Sequence, residues 1–290
     1  MGSYGFHEDK KPAENLAEFR RKIGDLEFGW VFRGQLSRYP LRTTLDRACE
    51  NAGIDADKKS LLERELLRQF CRWYDGQDRE LVESDTLYCF ALMQHYGAPT
   101  RLLDWTYSPY VAAYFALEAL HDLPGEEREA ERDDLRGAVW CVNTDWLDDM
   151  FSNGYPNLVK YRKEDRLRKK EGSFEKVYMG SRKFVLTENP YHFHTRLFVQ
   201  QGVFLCPGDV SNKFEENLRA YAGWGSEKNV RKIPLEFARE EVKNGLLELR
   251  RMNIYRGALF PGLDGFAKSM KYLLPFYLKI AELRQSRGQL

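Results

Sequence analysis

The sequence predicts a mixed α+β fold, a mainly antiparallel sheet flanked by helices. Three observations carry that expectation. Helical and strand signals fall in blocks instead of alternating strictly, which disfavours a doubly wound parallel sheet. The strand signals are short and rich in aromatic and branched residues, as in Trp30-Val31-Phe32-Arg33 and Ala138-Val139-Trp140-Cys141-Val142. A content of 43% hydrophobic residues in a chain of 290 supplies an ample core, so residues 1–290 read as a single domain with its core over about residues 25–270.

Taken in order, the first element is a helix from about Pro12 to Gly24, where Leu16, Phe19 and Ile23 recur at helical steps and Gly24 suits a C-terminal cap. The run Trp30 to Arg33 is expected as a buried strand broken by Gly34, which puts Arg33 at a strand end. Ser60-Leu61-Leu62-Glu63 has the spacing of a capping box, and Leu62, Leu66 and Phe70 with Leu67, Cys71 and Tyr74 share one face, so this helix should run to about Tyr74. The next should span about Thr86 to Tyr96 and end before Gly97 and Pro99. From Tyr110 to Leu120 the chain is apolar nearly all round, as a buried helix is, with Pro109 in its first turn and Ser108 as N-cap. Such an N-terminus offers free N–H groups and partial positive charge.

Pro124 to Asp134 is charged and reads as a loop or short exposed helix. Arg196 to Leu205 reads as a strand pair or bulged strand, Gly202 marking a bulge or close approach. Ile233-Pro234-Leu235 looks like an edge strand because of its proline. Helical pattern returns from Ala238, and Tyr272 to Leu283 closes the chain with another helix. No internal repeat is present.

Charge and composition exclude several functions. Lys plus Arg number 45 and Asp plus Glu 44, a net charge of +1 that gives no global pull toward nucleic acid or an acidic membrane. Tyr161 to Lys170 is the one concentrated basic patch; Glu164 and Asp165 interrupt it, so it reads as a solvated helix face, with nucleic-acid contact as the alternative. No apolar run approaches the roughly 20 residues that cross a bilayer, and the polar stretch Glu8-Asp9-Lys10-Lys11-Pro12 is unlike a signal peptide, so a cytoplasmic protein without a membrane partner is expected. Cys49, Cys71, Cys89, Cys141 and Cys206 form no CxxC pair and should be reduced. His192 and His194 have no further ligand at metal spacing, so no metal is expected.

The densest polar segment is Gln94 to Pro109, which places His95, Arg101, Asp104, Thr106 and Ser108 around Trp105 just ahead of the apolar helix. Arg33 followed by Gly34 suits a phosphate grip, because a guanidinium forks to two oxygens and glycine lets a ligand approach the backbone. An internal pairing of Arg33 with Asp104 is the alternative. Together the two motifs resemble the FRG-domain family, named for the tripeptide Phe32-Arg33-Gly34, and the resemblance extends through Pro109 to Ala116, Arg196, Gln201 to Phe204 and Leu259 to Gly265. It implies a domain often found in bacterial and phage proteins, and hence a toxin or antiviral-defence setting.

The order of elements is also similar to the R-S-E branch of the ADP-ribosyltransferase superfamily. That resemblance implies an ADP-ribosyltransferase-like sheet and NAD as substrate, with ADP-ribose passed to a protein, a nucleic acid or water. It implies Arg33, Asp104 and Gln201 as the catalytic set, and contacts to NAD from Arg33, Gly34, His95, Arg101, Thr106 and Ser108. Gln201 falls where that branch carries a glutamate, and an amide cannot supply the negative charge that steadies an oxocarbenium-like transition state. Either another carboxylate substitutes, from Asp104, Glu63 and Glu188, or the chain is a pseudoenzyme. His95 with Tyr96 is similar to the H-Y-E branch, whose His bonds ribose and whose Tyr stacks on nicotinamide; a helix-capping His95 is the alternative. The chain lacks GxGxxG, Walker and GxSxG sequences, against a Rossmann dehydrogenase, a P-loop NTPase or a serine hydrolase. Three readings therefore stand: NAD cleavage, recognition of a nucleotide or partner without turnover, and a polar core network joining two halves of the domain.

Overall fold

The computed structural model describes residues 6–26, 28–123, 136–166, 173–191 and 195–287. Strands β1 (His7–Glu8), β2 (Trp30–Leu36), β3 (Leu103–Thr106), β4 (Gly137–Asn143), β5 (Val185–Glu188), β6 (Gly202–Pro207) and β7 (Val230–Leu235) form one sheet in the order β1-β7-β4-β2-β3-β6-β5. Only the β1–β7 pair is parallel. The expected mixed α+β class, with a mainly antiparallel sheet flanked by helices, is what forms.

Period-two alternation sends side chains to both faces. Val31, Trp140 and Val142 join one core cluster, while Phe32, Val139 and Cys141 join the other. The second cluster packs under helices α1 (Leu16–Lys22) and α6 (Pro109–His121), and the first against α5 (Thr86–His95). Between α1 and α5 lie α2 (Thr44–Asn51), α3 (Lys59–Trp73) and α4 (Arg79–Ser84). After β4 come α7 (Thr144–Gly154), α8 (Pro156–Arg166), α9 (Ser173–Tyr178), α10 (Thr195–Val199), α11 (Phe214–Arg219) and α12 (Arg239–Arg251). The chain closes with α13 (Arg256–Leu259), α14 (Leu263–Ser269) and α15 (Leu274–Ser286).

One border in the sheet is unlike the rest. β2 runs beside β4 for seven register pairs, from Trp30↔Asn143 to Leu36↔Gly137. On its other side it meets β3 at a single pair, Phe32↔Thr106. The sheet is thus two part-sheets, β1-β7-β4-β2 and β3-β6-β5, joined at one point.

Several elements differ from the sequence expectation. β2 does not stop at Gly34: it continues to Leu36, so Arg33 is mid-strand. A Cβ on Gly34 would lie 1.7 Å from the Ala112 carbonyl oxygen and 2.8 Å from the Ala116 nitrogen. The glycine therefore makes room for α6, not for a ligand. The first helix starts at Leu16, capped by Asn15, not at Pro12. α3 begins at Lys59 with no side-chain cap, because Glu63 turns inward to a buried partner; the capping box forms instead at Thr43 and Asp46, heading α2. Residues 195–199 are helical, and only from Gly202 does the chain become a strand. β7 is not an edge strand, since the short β1 covers it. Residues 124–135 and 192–194 lie outside the described residues, and with them the charged loop and both spaced histidines.

The basic stretch divides. Arg162 is buried, with Nη2 2.7 Å from Asp148, so it is no solvated face; residues 167–172 are outside the described set. All five cysteines are free. No helix among the described residues is long and apolar enough to cross a membrane.

Candidate functional site

The site grows from the divided border of the sheet. Past Phe32↔Thr106 the two strands separate, and the side chain of Arg33 reaches across: Nη1 donates to the Asp104 carbonyl oxygen at 2.6 Å. Its Nε donates to Gln35 Oε1 at 3.2 Å, and Gln35 is held in turn by the Tyr39 carbonyl. Nη2 makes no hydrogen bond among the described residues. Burial pulls the guanidinium pKa below its ordinary value, and the Asp104 charge opposes that pull. Arginine stays protonated under such a shift, so the cation is costly to hide and gains from a further anion.

Around this bridge lie two cavities. One, of about 310 Å³, has walls that include Arg33, Gly34, Gln35, Trp105, Thr106 and Phe115. The other, of about 140 Å³, includes Gln94, His95, Leu197 and Phe204. Asp104, Arg196 and Gln200 line both, so the two are lobes of one cleft. The Asp104 side chain is exposed and has neither a hydrogen bond nor an ion pair among the described residues. Arg196, on α10, stacks its guanidinium 4.3 Å from the centre of the Phe260 ring and forms no hydrogen bond among the described residues. Burial depresses its pKa too, with Asp104 acting against this and Arg256 with it.

Unspent donors accumulate here. Trp105 Nε1 and Gln94 Nε2 are buried without a hydrogen-bond partner. The donors that line the cleft itself and have no hydrogen-bond partner among the described residues are Arg33 Nη2 and the Arg196 fork. An oxygen-rich ligand suits these two cations, since a hydrogen bond to a charged group is worth about 1.5–3 kcal/mol.

Of the residues singled out from sequence, Arg33, Gly34, His95, Asp104 and Thr106 line the cleft. Gly34 does so while serving helix packing. Thr106 is committed to structure: its hydroxyl donates to the Gln200 carbonyl at 2.7 Å and accepts the Ser108 N–H at 3.0 Å. Ser108 is the N-cap of α6, its hydroxyl accepting the Val111 N–H at 3.3 Å. His95 ends α5, its ring edge-on to Tyr96 at 5.2 Å.

Two assignments are corrected. Arg101 is not in the cleft: it is fully buried, Nε donating to Glu63 Oε1 at 2.7 Å, Nη2 to Glu63 Oε2, and Nη1 to the Tyr178 carbonyl at 3.0 Å. Gln201 is not on a strand: it sits exposed in a turn with φ of 48°, and its carbonyl accepts the Tyr107 N–H. Its neighbour Gln200 faces the cleft instead, its amide tied to the Leu259 carbonyl at 2.9 Å. Of the substitute carboxylates, Glu63 is spent on Arg101, and Glu188 is buried against Tyr178 and Arg162. Asp104 remains.

The sequence reading gave no role to Arg196, Gln94 or Gln200. Arg196 had a signal, since it lies in a stretch that carries the family resemblance. Gln94 had one too, as the first residue of the polar segment that carries the resemblance, whereas Gln200 had none, because its place on the cleft rests on which strands separate. Among the described residues no group of three His, Cys, Asp or Glu could hold a metal.

No curated protein and no solved structure matches the chain. Residues 29–123, which contain Arg33, His95, Asp104 and the helix that Gly34 admits, match the family model of the FRG domain, whereas Arg196 and Gln200 on the facing wall lie beyond it: the chain carries an FRG domain.

Proposed function

We propose that the cleft binds NAD and cleaves its glycosidic bond, as the resemblance to ADP-ribosyltransferases implies. The observation that carries this reading is the pairing of two incompletely satisfied guanidiniums, Arg33 and Arg196, with one unengaged carboxylate, Asp104, in the same cleft. The guanidiniums suit the diphosphate, each able to fork to two oxygens. Asp104 then lies in the cleft to face the nicotinamide ribose. As the bond between C1′ and the nicotinamide nitrogen breaks, its electron pair neutralises the pyridinium, and the carboxylate steadies the positive charge left on the ribose. Water or an acceptor group attacks C1′ and gives its proton to Asp104.

One observation favours a second reading, recognition of the nucleotide without turnover. Gln201, which falls where the R-S-E branch carries its glutamate, is exposed in a turn.

The test is incubation with NAD, with binding followed by calorimetry and nicotinamide release by chromatography. Arg33→Ala and Arg196→Ala, checked for folding by circular dichroism, should each weaken binding about tenfold or more, the usual loss for a charged hydrogen bond. Asp104→Asn should retain binding and lower release about 100-fold. Binding without release supports the second reading, and absence of saturable binding sinks both.

A further inference from the structure

A separate cavity of about 530 Å³ lies between α6, α12 and the helices that close the chain. It shares no lining residue with the cleft. Its uncharged walls are mainly Leu246, Leu247 and Leu274 with the rings of Tyr114, Tyr255 and Tyr272, joined by His121 and Ser269. Two of these tyrosines have their hydroxyls occupied, Tyr114 on Glu118 at 2.7 Å and Tyr272 on Asp122 at 3.0 Å. The cavity therefore meets mainly hydrocarbon and ring surface.

Its charged lining is of one sign. Lys243, Arg250, Arg256 and Lys271 contribute to it, and among the described residues no carboxylate does. Three of the four are paired elsewhere: Lys243 with Glu240 at 3.0 Å, Arg256 Nη1 with Glu118 at 2.8 Å, and Lys271 with Asp122 at 2.8 Å. Arg250 has no ion pair and stacks on Tyr255 at 4.4 Å.

We propose that this cavity binds an amphipathic anion, a medium- or long-chain acyl carboxylate, with its chain among the leucines and tyrosine rings and its head group on Arg250. The volume is that of a small-molecule pocket. A nucleotide fits poorly, because His121 and Ser269 on the lining are already held by Asp122 and the Phe266 carbonyl, which leaves most of a base's polar edge against hydrocarbon and ring. A neutral hydrocarbon fits poorly as well, since it would strip water from Arg250 and offer nothing in return.

The experiment uses the full chain with a fluorescent dansyl-undecanoate probe, all ligands held below their micelle concentrations. Dodecanoate should displace the probe, whereas dodecyltrimethylammonium, of equal chain length and opposite charge, and AMP should not. Arg250→Gln should weaken dodecanoate binding about tenfold or more. Leu247→Trp, at a half-exposed position that lines the cavity, should block probe binding while leaving the circular dichroism spectrum unchanged. Equal displacement by the cationic detergent, displacement by AMP, or unaltered affinity in both variants would overturn the proposal. NAD binding at the Asp104 cleft is measured in the same variants and should be unchanged, which keeps the two sites' tests separate.

Discussion

Arg101 sits in the middle of the polar motif, yet the fold uses it as a clamp. Its side chain and that of Glu63 are each 1% exposed, and the guanidinium also serves the Tyr178 carbonyl and, at 3.4 Å, that of Pro207. It therefore ties α3 to α9 and to the end of β6. Replacing it with Met keeps most of the volume and strands the Glu63 carboxylate in a dry interior. Breaking one partner of such a pair costs about 3–5 kcal/mol. With a urea m-value of about 3 kcal/mol per M, the unfolding midpoint should fall by about 1–1.7 M. The double variant Arg101→Met with Glu63→Leu removes both charges and should be less destabilised than the sum of its parts, because the two residues are directly coupled. A single-variant loss under about 1 kcal/mol, or lost NAD affinity at unchanged stability, would refute the clamp and return Arg101 to the cleft.

Two further outcomes follow from packing and from charge. Gly34→Ala puts a methyl group inside the backbone of α6, which cannot yield as a side-chain tip can, so stability should drop by about 3 kcal/mol or more; an unchanged melting temperature would show that the helix is not seated on β2. Burial resists ionisation of Asp9, but hydrogen bonds and charge from Arg231 and Lys22 prevail and hold its carboxyl below its ordinary value of 3.8, with His7 also 3.8 Å away. That group thus favours the fold at pH above 3.8, and its contribution is lost as pH falls through the depressed folded value. Asp9→Asn should lower the melting temperature at neutral pH and flatten its acid-side decline; superimposable profiles would disprove the linkage.

Local chemistry was legible where it decides structure locally. Ser108 and Pro109 mark the start of α6 because N-capping depends on neighbours in the chain, and the aromatic and branched run in β2 needs no context to read as a buried strand. β3 was unread: four residues, Leu103–Thr106, between Pro99 and Pro109 look like part of a turn, although Leu103 and Trp105 point inward and Asp104 outward. Residues 195–199 were misread because Leu197-Phe198-Val199 suits a strand as well as a helix, and tertiary packing chose. Glu63 lies 38 residues from Arg101, and nothing near either one announces the other. The reading of Arg33 as an internal partner of Asp104 was half right: the contact exists, but with the backbone carbonyl, which leaves the carboxylate disengaged.

The single register pair between β2 and β3 has a mechanical consequence. Strand borders resist shear in proportion to the hydrogen bonds that cross them, and this border has far fewer than the seven-pair border on the other side of β2. Torsion applied to the sheet will concentrate along this line, with the Arg33 side chain as its stitch. Arg33 belongs to one part-sheet, while Arg196 stands at the approach to β6 in the other. An anion gripped by both would act as a crossbar, so that occupancy of the cleft becomes stiffness of the whole sheet.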